Sequence, residues 1–272
     1  MSDHRAPADS VLGRIADRTS ADVADRRARV SVGELERATD DAPRDFRAAL
    51  LGPTGRSEAG HTSLIAEFKP RSPSRGEIRP GASPETIAAA YQPYAAAISV
   101  LCDRPFFGGG HDLLARVRRV TTRPVLCKDF ILDPYQVIEA WAYGADAVLL
   151  MVSLLEPEAL STLLELSRTL GMAALVETHD AHEVAVAMDV GADIIGVNSR
   201  DLRTLEIDLS IIPDLCAAVG EGCVKVAESG LLTAADVDFV RPHVDAALIG
   251  SALMAAPDPA AQIHALGFGR CA

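Results

Sequence analysis

RPVLCKDFILDPYQVIEAWAYGADAVLLMV, residues 123–152, reads as one complete strand–helix–strand unit. PVLC (124–127) and AVLLMV (147–152) are apolar runs too short for helices and rich in valine and leucine. Between them DPYQVIEAWAYGA carries an aspartate where an N-cap belongs, a proline in the first turn and a glycine near its end. Neither apolar run alternates with polar residues, which predicts parallel strands covered on both faces.

The same rhythm extends outward. LIAEF (64–68) and AISVL (97–101) lie upstream; AALVE (173–177), IIGVN (194–198), VKVAES (224–229) and AALIG (246–250) lie downstream. Helical stretches such as PETIAAAYQPYA, EPEALSTLLELSRTLGM and DAHEVAVAMDVGA fill the gaps. Strands alternating with helices, repeated to eight strands, predict a closed (β/α)8 TIM barrel forming a single domain over 1–272. An open doubly wound sheet usually has fewer strands and a glycine-rich first turn, and no GxGxxG follows the first run. Ahead of the barrel, residues 10–30 place Val11, Ile15, Val23 and Val30 at helical spacing among charges. Residues 1–62 therefore read as an N-terminal helical extension, with a polar connector through Ala42-Pro43 and Gly52-Pro53-Thr54-Gly55.

The chain is 49% hydrophobic and only 4% aromatic, so its apolar material is mostly the small aliphatic residues that build parallel barrels. A net charge of −12 disfavours nucleic acid and anionic membrane as partners. It also means that an anionic substrate needs a local positive site. No run reaches membrane-spanning length and the N-terminus lacks a signal-peptide core, which predicts a soluble cytoplasmic protein; a monomer fits the acidic surface. The five cysteines form no CxxC and read as free thiols, with Cys127 buried in an apolar run.

In such a barrel the chemistry sits at the C-terminal strand ends, and the unusual residues fall there. Glu67 and Lys69 flank Phe68 after the first run, Lys128 and Asp129 end the third and Glu177 ends the fifth. Asn198 and Arg200 end the sixth, Glu228 and Ser229 the seventh, and Gly250-Ser251 the eighth. Any one of these could simply begin a solvated loop. Their repetition predicts that lysine and glutamate converge on one mouth as acid and base. AESGL (227–231) and IGSAL (249–253) pair glycine with serine after the seventh and eighth runs, where backbone amides can hold a phosphate. KPRSPSRGEIRPG (69–81) is basic and fits either a lid over an anion or an exposed loop. His179 and His182, three apart at a helix start, read as a surface pair, and Trp141 reads as packing.

Several longer segments carry a resemblance. IAEFKPRSPSRG (65–76), AISVLCDRPFFGG (97–109), RPVLCKDFILDPYQV (123–137) and ALVETHD (174–180) match, in order, the indole-3-glycerol phosphate synthase family. IGVNSRDLRTLEID (195–208), VAESG (226–230) and ALIGSALM (247–254) continue the match to about residue 256. The resemblance implies closure, decarboxylation and dehydration of 1-(2-carboxyphenylamino)-1-deoxyribulose 5-phosphate, in tryptophan synthesis, without metal or organic cofactor. It implies Lys128 as principal acid, Glu177 as its carboxylate partner, and Glu67 with Lys69 as a second acid/base pair. Asn198 and Glu228 position these groups. Ser72 and Arg200 contact substrate, and Phe107, Phe130 and Leu149 wall its aromatic ring. Ser229, Gly230, Gly250 and Ser251 form the phosphate cradle, with Lys69 nearby.

Two positions depart from the family pattern. Cys102 stands where the family often has threonine, and Ser153 where some members have lysine. The chain ends soon after the eighth unit, which reads as the form without a fused second barrel. The rival readings are another phosphosugar barrel enzyme, such as a phosphoribosyl isomerase, and a phosphosugar-binding barrel without turnover.

Overall fold

The computed structural model describes residues 11–35, 41–52, 62–72, 76–201 and 204–271. Eight strands close into a barrel: β1 (Ser63–Phe68), β2 (Ala97–Leu101), β3 (Val125–Lys128), β4 (Ala147–Met151), β5 (Ala173–Thr178), β6 (Ile194–Asn198), β7 (Val224–Glu228) and β8 (Ala246–Ile249). Each pairs in parallel with its chain neighbours, and β1 closes on β8 through Ser63↔Ala246 to Ala66↔Ile249. The apolar runs are the strands because both of their faces are covered. Ile65, Ile98, Leu126, Leu150, Val176, Ile195 and Val226 are all fully buried.

The connecting helices start where the capping chemistry sits. Asp133 accepts from the Tyr135 amide at 2.8 Å ahead of α6 (Pro134–Ala142), with Pro134 in the first turn. Asp180 accepts from the Glu183 amide at 2.8 Å ahead of α8 (Ala181–Asp189). At the end of the barrel away from the chemistry, the fully buried Asp146 carboxylate ties the Arg44 and Val125 amides, each at 2.8 Å.

Among the described residues two α-helices precede the barrel: α1 (Val11–Arg29) and α2 (Phe46–Leu51). α1 buries Leu12, Ile15, Ala16, Thr19 and Val23, so Ile15 and Val23 lie on the covered face as expected, Leu12, Ala16 and Thr19 complete it, and the side chain of Val11 lies outside the described residues. Val30 is 40% exposed, one residue past the helix, where the periodicity no longer applies. α1 is strapped to α6 by ion pairs Arg26–Glu139 at 3.1 Å and Arg27–Asp133, and the Tyr135 hydroxyl donates to the Val30 carbonyl at 3.0 Å. The connector at 53–55 and Pro73-Ser74-Arg75 of the basic loop lie outside the described residues. The described parts of that loop form a small antiparallel ribbon pairing Arg71 with Glu77, and Ser72 is buried in it. No helix among the described residues is long and apolar enough to cross a membrane.

Candidate active site

Side chains two apart on a strand share a face. The inward face that carries Leu126, Leu175, Val226 and Leu248 therefore carries Lys128, Glu177, Glu228 and Gly250 one step higher, at the barrel mouth. The strands thus floor the mouth with aliphatic side chains and ring it with charge.

At its centre the Lys128 ammonium lies 3.1 Å from Glu177 Oε2 and 3.0 Å from Glu228 Oε2. Asn198 Nδ2 donates to Glu177 Oε1 at 2.9 Å, which fixes the plane of that carboxylate. Burial by itself would favour a neutral lysine, but the negative field of Glu177, Glu228 and Glu67 outweighs it and holds Lys128 above the usual lysine range. Burial also pushes both carboxyls up. For Glu177 the attraction of Lys128, with His179 and Asn198, overrides burial and keeps it ionised below the usual carboxylate range. For Glu228 burial prevails over Lys128, and the neighbouring Glu177 charge adds to it, so its carboxyl is held above that range. The two glutamates therefore divide the roles: Glu177 is the anion, and Glu228 keeps a proton more readily.

A second pair sits on β1 and the turn after it. Lys69 Nζ is 2.6 Å from Glu67 Oε1, and Glu67 is 1% exposed. Two glycines make room for the carboxylates. A Cβ at Gly196 would sit 2.1 Å from Glu228 Oε1, and one at Gly250 would sit 2.3 Å from Glu67 Oε1. Gly250, expected only in an anion cradle, thus also clears space for Glu67.

On the same side of the mouth, where β8 and β7 follow β1 round the barrel, Ser229 (φ 67°) and Gly230 (φ 74°) take consecutive left-handed conformations after β7, a sharp turn that a serine adopts only under constraint. Gly250 and Ser251 follow β8. The rings of Phe107 and Phe130 stand 6.0 Å apart and tilted by 42° beside Leu149, forming an apolar wall.

These groups enclose a cavity of about 230 Å³. Its lining brings together Glu67, Lys69, Ser72, Phe107, Lys128, Phe130, Leu149, Glu177, Asn198, Arg200, Glu228, Ser229, Gly230, Gly250 and Ser251. Leu12 and Ile15 of α1 complete the wall, a contribution that sequence reading missed although the amphipathic spacing marked those faces as seeking cover. Leu101, Met151 and Leu248 also line it.

The reading of His179 as a surface residue is wrong. Its Nε2 lies 3.4 Å from Glu177 Oε1 and its Nδ1 3.0 Å from Glu183 Oε2, behind the cavity. Glu183 also accepts from the His179 backbone amide at 2.7 Å, which locks the arrangement. Burial opposes a charge on this imidazole, but bonds and charges from Glu177 and Glu183 override it and raise the group to about 10. Position 179 is two residues beyond Glu177, and that spacing was the available signal. His182 is exposed on the first turn of α8 as expected. All five cysteines are free thiols, and Cys127 is fully buried.

The sequence model of the family described as indole-3-glycerol phosphate synthase matches residues 12–266. The chain is 44% identical over 260 residues to indole-3-glycerol phosphate synthase 2 of Streptomyces coelicolor, covering 94% of this chain and 98% of the relative. It is 44% identical over 227 residues to the indole-3-glycerol phosphate synthase of Aromatoleum aromaticum, covering 83% and 86%. Among solved structures, 3-hexulose-6-phosphate synthase of Salmonella typhimurium superposes with a TM-score of 0.62 at 15% identity, over 75% of this chain and 96% of that one, a likeness of fold.

Proposed function

The chain belongs to the indole-3-glycerol phosphate synthase family, and from that premise we propose how its residues divide the reaction. The activity is that of a carboxy-lyase of tryptophan biosynthesis. 1-(2-Carboxyphenylamino)-1-deoxyribulose 5-phosphate becomes indole-3-glycerol phosphate, carbon dioxide and water. The observation that carries the assignment of roles is the Lys128 ammonium held between Glu177 and Glu228 at 3.1 and 3.0 Å.

The substrate phosphate docks on the backbone amides around Ser229-Gly230 and Gly250-Ser251, with Lys69 supplying positive charge in an otherwise acidic protein. The anthranilate ring lies against Phe107, Phe130 and Leu149, and Ser72 and Arg200 contact the chain between. Fixing both ends bends the flexible ribulose so that the ring carbon bearing the carboxylate faces the ketone, which turns a rare collision into a bound geometry.

Lys128 donates a proton to the ketone oxygen as the carbon–carbon bond forms and its cation stabilises the developing oxyanion. The ring nitrogen's electron pair supports the dearomatised intermediate. The carboxylate leaves as carbon dioxide, and its bonding pair restores the aromatic ring. The new hydroxyl must then leave as water, together with one proton from the adjacent carbon. Glu67 takes that proton and Lys69 protonates the leaving hydroxyl. Glu177, held at Oε1 by Asn198 and His179, keeps the Lys128 ammonium aimed and charged. Purified chain given this substrate should form the indole chromophore and one carbon dioxide per product; binding without product would overturn the reading.

His179 acts on Glu177 by its charge. The folded group titrates near 10, above the ordinary histidine value of about 6.5, so its contribution to stability is complete below about 6.5 and fades as pH rises through about 10. His179→Asn removes the cation, so Glu177 becomes easier to protonate and the acid limb of kcat/KM should move upward by on the order of one pH unit. A variant with reduced activity but an unmoved acid limb would show that His179 only packs.

A further inference from the structure

On the outer side of the barrel wall, opposite in side-chain direction to Lys128, three potential metal donors meet. Cys102 follows β2, Cys127 lies on β3, and His111 opens α5 (His111–Val120). Their two Sγ atoms and a ring nitrogen all lie within 4.8 Å of one another, and all three residues are deeply enclosed. His111 Nε2 is 3.9 Å from Cys127 Sγ. The same nitrogen faces Glu139 Oε2 of α6 at 4.0 Å. That oxygen is an independent pointer, because Glu139 is 5% exposed and its Oε2 accepts no hydrogen bond among the described residues. Its other oxygen is held by Arg26 of α1 at 3.1 Å. None of Cys102, His111, Cys127 or Glu139 lines the substrate cavity.

We propose that Cys102, Cys127 and His111 bind one zinc ion, and that the Glu139 carboxylate, which stands outside their 4.8 Å group and faces it at 4.0 Å from His111 Nε2, moves in as the fourth donor. Zinc–sulfur bonds of about 2.3 Å and zinc–nitrogen bonds of about 2.0 Å place tetrahedral sulfur and nitrogen about 3.5 Å apart, so the observed pair need close by only a few tenths of an ångström. Two thiols and an imidazole select a borderline-soft cation over magnesium or calcium. On binding, each thiol gives its proton to solvent and its sulfur pair to the metal, with no change of oxidation state. Two thiolates and one carboxylate against a dication leave a single negative charge, which the Arg26 guanidinium balances. Asp129 adds a second carboxylate on the His111 side, with Oδ2 3.9 Å from Nε2. Four protein donors make a closed, structural site. It fastens α5 and α6, and through Arg26 also α1, to the strand that ends in Lys128.

The probe is cobalt(II), because zinc is spectroscopically silent. The reduced full chain is unfolded and refolded with one equivalent of cobalt, so that the enclosed donors are reached. One near-ultraviolet thiolate-to-cobalt absorption per chain is expected, displaced by zinc, with a raised thermal midpoint. Cys102→Ser and His111→Asn should abolish the absorption, and Cys216→Ser should leave it intact. Cys102→Thr serves as the second variant should serine disturb folding. Refolded wild-type chain with native circular dichroism but no thiolate–cobalt band would overturn the proposal, as would a band that survives loss of Cys102.

Discussion

Lys128→Ala should lower kcat by about 10³-fold while KM changes several-fold at most, the range general acids typically supply. Two effects combine. The ketone loses its proton donor, and the developing oxyanion loses the cation that lies between Glu177 and Glu228. With Lys128 gone the two glutamates lose the cation between them, and Glu228, already held above the usual carboxylate range, takes the proton while Asn198 and His179 keep Glu177 ionised. Glu177 then keeps its charge but has no ammonium to aim. Lys128→Arg separates these contributions. It keeps a positive charge but replaces a compact proton donor by a planar group that does not release its proton, so it should restore substrate affinity far better than turnover. Turnover reduced by less than about tenfold in Lys128→Ala would remove Lys128 from the role of principal acid.

Glu67→Gln should uncouple the two products. The substitution keeps the shape beside Gly250 and removes the base. In a single turnover, carbon dioxide should appear at close to the parental rate while indole formation slows by about 10²-fold. A decarboxylated species still carrying its hydroxyl should accumulate between the two. The expectation follows from having two separate lysine–glutamate pairs: Lys69–Glu67 at 2.6 Å, and Lys128 with its own carboxylates. Were carbon dioxide and indole to slow together, Glu67 would belong to ring closure and the dehydration base would have to be sought elsewhere.

The barrel was legible because its apolar runs recur with helices between them, and buried parallel strands leave few other ways to cover both faces. Strand limits were less so. The fifth run reads as ending at Glu177, but β5 continues to Thr178, which pairs with Val197 of β6. Pairing, a relation between distant segments, sets that limit. The lysines and glutamates at the strand ends stood out as charge where apolar residues prevail. His179 did not, since a histidine at the start of a helix looks the same whether it meets water or two carboxylates. The parts played by Leu12 and Ile15 were hidden for a similar reason: helical spacing tells that a face is covered, not which wall it completes. Nor does composition reveal that Gly196 and Gly250 are small on account of side chains on neighbouring strands.

Those two glycines constrain how this barrel can be redesigned. Each shares one volume with an acid on another strand, so the glycine is not free to grow while the acid keeps its length and place. Introducing even a methyl group at 196 or 250 puts the new carbon 2.1 Å from Glu228 Oε1 or 2.3 Å from Glu67 Oε1, so the acid must leave the place where it works. Libraries that randomise the mouth one position at a time will therefore return almost only parental glycine there. Exchange of the glycine together with a shortened acid, Glu228→Asp or Glu67→Asp, is the route by which new chemistry could enter the scaffold.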